Sequence, residues 1–188
     1  MKMRFVLVIC ICLLFGCTPN QTAKEDIQNL RALVNLQPNN AKAYFKLGLA
    51  YLSEKQYEEA LAALQRAVDL NPNDTAAQAI LGITNFEMKR YKEALPSFQK
   101  LTELAPNNHE AFFNLGNVYM NLKQFEQAIL AYRRAIELRK DYVEAEYSMG
   151  VAYYELGKPD SARIQYEKIK DKNNFMAGSL LRKIEKRN

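Results

Sequence analysis

The chain has 188 residues, is 48% hydrophobic, carries mixed-sign charges on a quarter of its positions, and has a formal charge of +5. That composition can bury a core and excludes a disordered chain, while so small an excess of positive charge gives no reason by itself to expect nucleic acid. All three cysteines precede residue 18 and there is one histidine, so neither a disulfide framework nor a metal cluster can hold the chain together.

Residues 1–16 begin with Lys2 and Arg4, continue as an apolar run from Phe5 to Phe15 and end at Gly16. A basic start, an apolar middle and a small residue are the layout of a secretory signal. The run is also too short to span a bilayer, which takes about 20 residues. Leu14, Phe15, Gly16 and Cys17 resemble the lipobox of bacterial lipoproteins. That resemblance implies cleavage before Cys17, acylation of its sulfur and new amino group, and a lipid anchor in the bacterial cell envelope. Thr18, standing where an aspartate would retain such a protein at the inner membrane, implies the outer membrane facing the periplasm. Loss of the leader lowers the charge to +3, with 24 basic against 21 acidic residues.

Residues 17–23 read as a polar tether, which at about 3.4 Å per residue reaches only about 24 Å from the anchor. Thr22 and Glu25 form a capping-box signature for a helix over residues 24–37. Its Ile27, Leu30, Leu33, Val34 and Leu36 align with the second helix of the hairpins that follow. The segment is therefore a half-repeat without its first helix, and its Leu30 side is either open or met by another molecule.

Four hairpins then recur at a fixed period, over residues 41–74, 75–108, 109–142 and 143–174. In the first, Tyr44, Leu47, Gly48 and Tyr51 stand at i, i+3, i+4 and i+7 on one helix face. Ala60, Leu64 and Ala67 repeat the spacing on a second helix, which Pro72 stops for want of an amide proton. The second hairpin keeps Leu81, Gly82, Ala94, Phe98 and Pro106, with Gln78 and Asn85 where large residues are expected. The third keeps Phe112, Leu115, Gly116, Tyr119, Ala128, Tyr132 and Ala135, with Lys140 in the place of proline. The fourth keeps Met149, Gly150, Tyr153, Ala162 and Tyr166 and degenerates past Ile169. This pattern resembles the tetratricopeptide repeat family, and the resemblance implies an all-α right-handed solenoid of helical hairpins.

A glycine inside a helix costs about 1 kcal/mol against alanine. Gly48, Gly82, Gly116 and Gly150 share one offset, so close helix approach must offset that cost, with Ala60, Ala94, Ala128 and Ala162 facing the gap. Pro159 suits the first turn of its helix, whereas Pro96 lies deeper and should bend its helix slightly. Over residues 175–188, Ala177, Leu180, Leu181 and Ile184 make a one-sided helix that can cover the open end of the array. Its Arg182, Lys183, Lys186 and Arg187 also make a basic face suited to anionic headgroups.

Nothing in the sequence assembles a catalytic, metal or cofactor site. His109 stands alone at a helix entrance, and no phosphate-binding loop or base-paired nucleophile is present. Binding has a location instead. Beside the packing stripe of each first helix runs a second stripe: Phe45, Leu49 and Leu52; Ala79, Ile83 and Phe86; Phe113, Asn117 and Met120; Tyr147, Val151 and Tyr154. A helix apolar around most of its circumference is buried by something. Either neighbouring first helices bury one another, or the stripe is an apolar groove for a client protein or peptide. In the family the first two offsets of this stripe line the groove that receives a peptide, while the third is often shared with helix packing, and Asn114 and Asn117 would offer amide hydrogen bonds to a bound backbone. The Lys, Asn and Arg clamp with which co-chaperone members grip an acidic C-terminus is missing, since Phe45, Leu49, Phe113 and Asn117 occupy its offsets and only Asn117 could belong to it. The sequence thus predicts a non-enzymatic adaptor held at a membrane, with self-association through Leu30 and the groove as the alternative.

Overall fold

The computed structural model describes residues 19–186, so the expected signal segment 1–16 and Cys17 lie outside the described residues. Among the described residues there are ten helices and no strand. They are α1 Pro19–Leu36, α2 Ala41–Ser53, α3 Tyr57–Leu70, α4 Thr75–Glu87, α5 Tyr91–Leu104, α6 His109–Asn121, α7 Phe125–Leu138, α8 Val143–Glu155, α9 Pro159–Ile169 and α10 Asn174–Glu185. Each hairpin's first helix has 13 residues. Both the first and the second helices begin at intervals of 34. No described helix is long and apolar enough to cross a membrane. The chain divides into two compact units, Met1–Ala77 and Gln78–Asn188.

In the first unit, α1 packs on α2 as a half-repeat should. Ile27, Val34, Ala43, Leu47 and Ala63 form the buried cluster, with Leu30, Leu33, Tyr44 and Tyr51 half-buried around it. One expectation is corrected. The helix begins at Pro19 rather than after Thr22, so residues 19–23 of the expected tether are helical. Proline needs no amide donor in a first turn, and Gln21, Ala23, Lys24 and Glu25 are good helix formers. At about 1.5 Å per residue those five residues span about 7 Å, well under half of what extended chain reaches.

In the second unit, Ala94, Phe98, Leu101, Ala111, Leu115, Val118 and Ala131 make one buried cluster. Ala128, Ile129, Tyr132, Met149 and Ala152 make another. Helix α5 runs without a break through Pro96. Helix α9 ends at Ile169, and α10 seals the cluster of Ala162, Ile169, Ala177, Leu180 and Ile184.

Two local devices hold the register. The first is the N-cap. Asn40 Oδ1 accepts from the amide of Ala43 at 3.0 Å, Asp74 Oδ1 from Ala76 and Ala77, and Asn108 Oδ1 from Glu110 and Ala111. Each satisfies donors that a helix start leaves orphaned. The fourth hairpin has Tyr142 at this position and no side-chain cap. The second device is the turn inside each hairpin. Lys55, Lys89, Lys123 and Gly157, 34 residues apart, have φ of 59°, 60°, 59° and 76°. In the first hairpin the amide of Gln56 donates to the Tyr51 carbonyl and that of Lys55 to the Leu52 carbonyl; the other three repeat the pair. This is the Schellman closure of a helix, whose left-handed residue is ordinarily glycine.

The four shared glycines lie where close approach demands them. A methyl group built at Gly48 would come within 2.7 Å of Leu64, and one at Gly116 within 2.5 Å of Tyr132. At Gly82 the neighbour is Phe98 at 3.0 Å, and at Gly150 it is Leu180 of α10 at 2.6 Å. The side chain that occupies the gap is thus the large one at the offset of Leu64, Phe98 and Tyr132, while Ala60, Ala94, Ala128 and Ala162 are fully buried beside it.

Candidate functional site

The stripe expected to form a groove is only partly open. Phe45 and Leu49 belong to the first unit, Phe45 half-buried and Leu49 exposed. In the second unit, Ala79 is half-buried against the Phe98 cluster. Phe113 is spent on packing: its ring lies 5.8 Å from that of Tyr132 and 5.1 Å from that of Tyr142, which in turn lies 5.3 Å from His109. Tyr147 and Val151 depart from the expected open wall. Both are half-buried in the cluster under α10, and the Tyr147 hydroxyl is 3.3 Å from Ser179 Oγ. A helix that covers the end of an array needs an apolar bed, and these residues supply it.

What stays open is a cavity of about 310 Å³ in the second unit. Ile83, Phe86 and Glu87 of α4, Phe98 of α5, and Asn114 and Asn117 of α6 line it. Leu81 and Gly82 face inward on α4 and are buried, which turns Ile83, two positions after Leu81, outward to 42% exposure. Two polar residues on the buried side of α4 bond within the helix, Thr84 Oγ1 donating to the Ile80 carbonyl and Asn85 Nδ2 to the Leu81 carbonyl. They make no demand on the cavity.

Asn117 is held rather than free. The Tyr132 hydroxyl donates to its Oδ1 at 2.8 Å, and Asn121 Nδ2 donates to its carbonyl at 2.8 Å. Burial pushes the Tyr132 phenol well above its ordinary range, and a hydrogen bond from Ser148 offsets part of the shift. Asn117 therefore keeps Nδ2 for a ligand, while the Asn114 amide makes no hydrogen bond among the described residues. Of the expected site residues, the fold brings together Ile83, Asn114 and Asn117. It adds Glu87 and Phe98, which the apolar-stripe argument missed. The first is charged and one position past the stripe; the second sits on the other helix of its hairpin.

Sequence profiles described as TPR repeat and tetratricopeptide repeat match residues 116–157, 85–131 and 144–173. One described as anaphase-promoting complex, cyclosome, subunit 3, matches residues 21–101. No curated protein matches the chain in sequence. A crystal structure of MamA protein is similar at 26% identity and a TM-score of 0.74, covering 85% of this chain and 87% of that one. A second MamA structure gives 25% and 0.69, covering 90% and 96%. YrrB, described as a TPR protein with an unusual peptide-binding site, is 22% identical with a TM-score of 0.78 over 86% and 84% of the two chains, a likeness of fold alone. The matched residues lie between 21 and 173, the part of the chain that the hairpins occupy, and the chain belongs to the tetratricopeptide repeat family, all-α in fold and built as a scaffold for protein–protein interaction.

Proposed function

We propose that this protein is a non-enzymatic adaptor that holds a segment of a client protein in the cavity between Ile83 and Asn114, while acylated Cys17 tethers it to the bacterial envelope. The cavity carries the reading. Its walls combine exposed apolar surface at Ile83 with an unengaged amide at Asn114, the mixture that seats an extended or helical segment. The sequence Leu14 to Cys17 supports the tether, and Thr18 supports the outer membrane with the domain facing the periplasm. The helical start at Pro19 keeps any such tether short.

Photocrosslinking in intact cells tests the client. Probes at Ile83 and at Asn114 are expected to capture the same protein, and a probe at exposed Leu130 of α7 is not. Capture from Leu130 alone would place binding elsewhere. Cys17→Ser is expected to move the protein from the membrane to the soluble fraction; an unchanged distribution would remove the tether. A second reading, self-association, is favoured by Leu130 and Ile164, which stand 34 residues apart at 61% and 58% exposure. Sedimentation across a concentration series separates the two: a strict monomer argues for the client, a tight dimer that Leu130→Asp disrupts argues for the copy.

A further inference from the structure

The first helices of the second unit have a charge balance opposite to that of the chain. Helices α4, α6 and α8 carry Glu87, Glu110, Glu144, Glu146 and Glu155 and not one lysine or arginine. The whole chain has a formal charge of +5. In the first unit, by contrast, α2 carries Lys42 and Lys46 and no acid. The segregation is therefore not a property of first helices in general.

Within the cavity this balance has a definite point of action. The lining holds one charged group, the carboxylate of Glu87, and no cation. Glu87 ends α4, is exposed, and makes no ion pair or hydrogen bond among the described residues. The remaining lining is apolar at Ile83, Phe86 and Phe98, or amide at Asn114 and Asn117. Amide oxygens accept hydrogen bonds; that of Asn114 is uncommitted, and Asn117 Oδ1 has a second lone pair beyond the one Tyr132 uses. An acidic segment would meet Glu87 without a compensating cation. A purely apolar segment would leave that carboxylate partly desolvated and unpaired, which costs free energy. A lysine or arginine suits all of it, because its methylene stem lies on apolar surface while its head stays polar.

Taking the client reading as given, we infer that the segment held in this cavity presents a basic side chain, whose stem lies on Ile83, Phe86 and Phe98 and whose cationic head meets Glu87 and the Asn114 amide oxygen. The partner is thus a protein segment of mixed apolar and basic character.

Single blocked amino acids test this without knowledge of the client. The probes are N-acetyl-lysine-methylamide, its norleucine analogue and its glutamate analogue, titrated at millimolar concentration and low salt into the full chain. The readout is the NMR signals of Ile83 and Phe86 and the side-chain amides of Asn114 and Asn117. The lysine probe is expected to bind about threefold more tightly than norleucine, the scale of one partly exposed ion pair. Glu87→Gln or about 0.5 M salt should erase that preference, since screening at such strength reaches a few ångström. Glu87 is exposed at a helix end, so the variant should melt at the wild-type temperature. Equal binding of norleucine, or tighter binding of glutamate, would overturn the basic-partner inference and leave the cavity as a client site. Absence of any shift at these four residues with all three probes would overturn the client reading itself, and this inference with it.

Discussion

The glycines of this chain make a graded series in which the same substitution should change sign with the room around it. Replacing a mid-helix glycine by alanine gains about 1 kcal/mol of helix propensity wherever the methyl group has space. At Gly178 in α10 the nearest atom to such a methyl is Arg182 Nη1 at 3.6 Å, an ordinary contact with a mobile group. Gly178→Ala should stabilise by close to that full amount. At Gly82 the Phe98 ring stands at 3.0 to 3.3 Å and must give by a few tenths of an ångström. The small strain and the propensity gain should nearly cancel. At Gly116 the Tyr132 ring stands at 2.5, 2.6 and 3.0 Å, against the ~3.5–4.0 Å of a relaxed carbon contact, so the ring must retreat by about 1 Å.

Tyr132 has nowhere to retreat to, being 1% exposed in the cluster with Ala128, Ile129 and Met149. Overpacking costs about 1–3 kcal/mol, and shifting the ring also breaks the Tyr132–Asn117 hydrogen bond, worth about 1 kcal/mol. After the propensity gain, Gly116→Ala should destabilise by about 2 kcal/mol. Urea unfolding followed by far-UV circular dichroism measures all three in the full chain. Hairpin arrays need not unfold in one step, so transition midpoints are the quantity to compare. The expected order of stability is Gly178→Ala, then Gly82→Ala level with wild type, then Gly116→Ala. If Gly116→Ala matched Gly82→Ala, or Gly178→Ala fell below wild type, steric room would not be what these glycines supply.

Replacing Lys55, Lys89 or Lys123 by glycine should raise stability by about 0.5–1 kcal/mol each, since a left-handed residue with a Cβ is strained by more than glycine's extra entropy costs; Gly157→Ala should do the reverse, both read as shifts in thermal midpoint. The buried Tyr132 phenol holds its proton above the ordinary range, so the folded state binds more protons than the unfolded one above about pH 10, and stability should fall from there upward. In an alkaline titration followed by tyrosinate absorbance, Tyr132→Phe should remove a late, unfolding-linked step and leave the early tyrosine ionisations unchanged. Lys172 donates to exposed Asp141 at 2.6 Å and lies 3.7 Å from Glu146 Oε2, a buried oxygen with no hydrogen bond among the described residues. Lys172→Met should therefore speed hydrogen exchange in α8 and α9, and adding Glu146→Gln should restore much of the protection, because the carboxylate is then no longer a buried charge. The Asp141 carboxyl, held below its usual range by the Lys172 hydrogen bond, keeps its stabilising effect above the unfolded pKa and loses it as acid takes the pH through the lowered folded value.

The hairpins were legible because their signals are local and repeated. Glycine at one offset and alanine at another recur every 34 residues, so each hairpin repeats the signal of the one before. The open part of the site was less legible because exposure depends on what packs next door. Tyr147 and Ile83 belong to one stripe in sequence. One is nevertheless covered by α10 and the other is not, and no property of either residue says which. The start of α1 misled for the opposite reason. Thr22 and Glu25 make a capping signature, but proline and good helix formers upstream let the helix run past it. At Tyr142 the repeat position has changed its role, since the cap is lost and the ring packs against His109 and Phe113 with Arg139 over it at 4.6 Å.

Because all four hairpins share one backbone register, the chain carries its own controls. Ala43, Ala77, Ala111 and Ala145 occupy a single offset and are all buried, so sameness there reports packing. One offset holds Leu49, Ile83, Asn117 and Val151, and another Ser53, Glu87, Asn121 and Glu155. The fold places no common demand on these, since a hairpin closes with any of them. Variation at such offsets is free to record what each hairpin touches. In the second unit the hairpins with Ile83 and Asn117 border the cavity, and the one with Val151 lies under the end helix. Exchanging Ile83 for Asn and Asn117 for Ile would leave the register and the composition unaltered and move the amide from one wall of the cavity to the other. Asn117→Ile also breaks the Tyr132–Asn117 hydrogen bond, so the melting temperature should fall by the few degrees that about 1 kcal/mol gives. A client that reads those walls should lose affinity for the exchanged chain well below that temperature, where both chains are folded, a result that packing alone cannot produce.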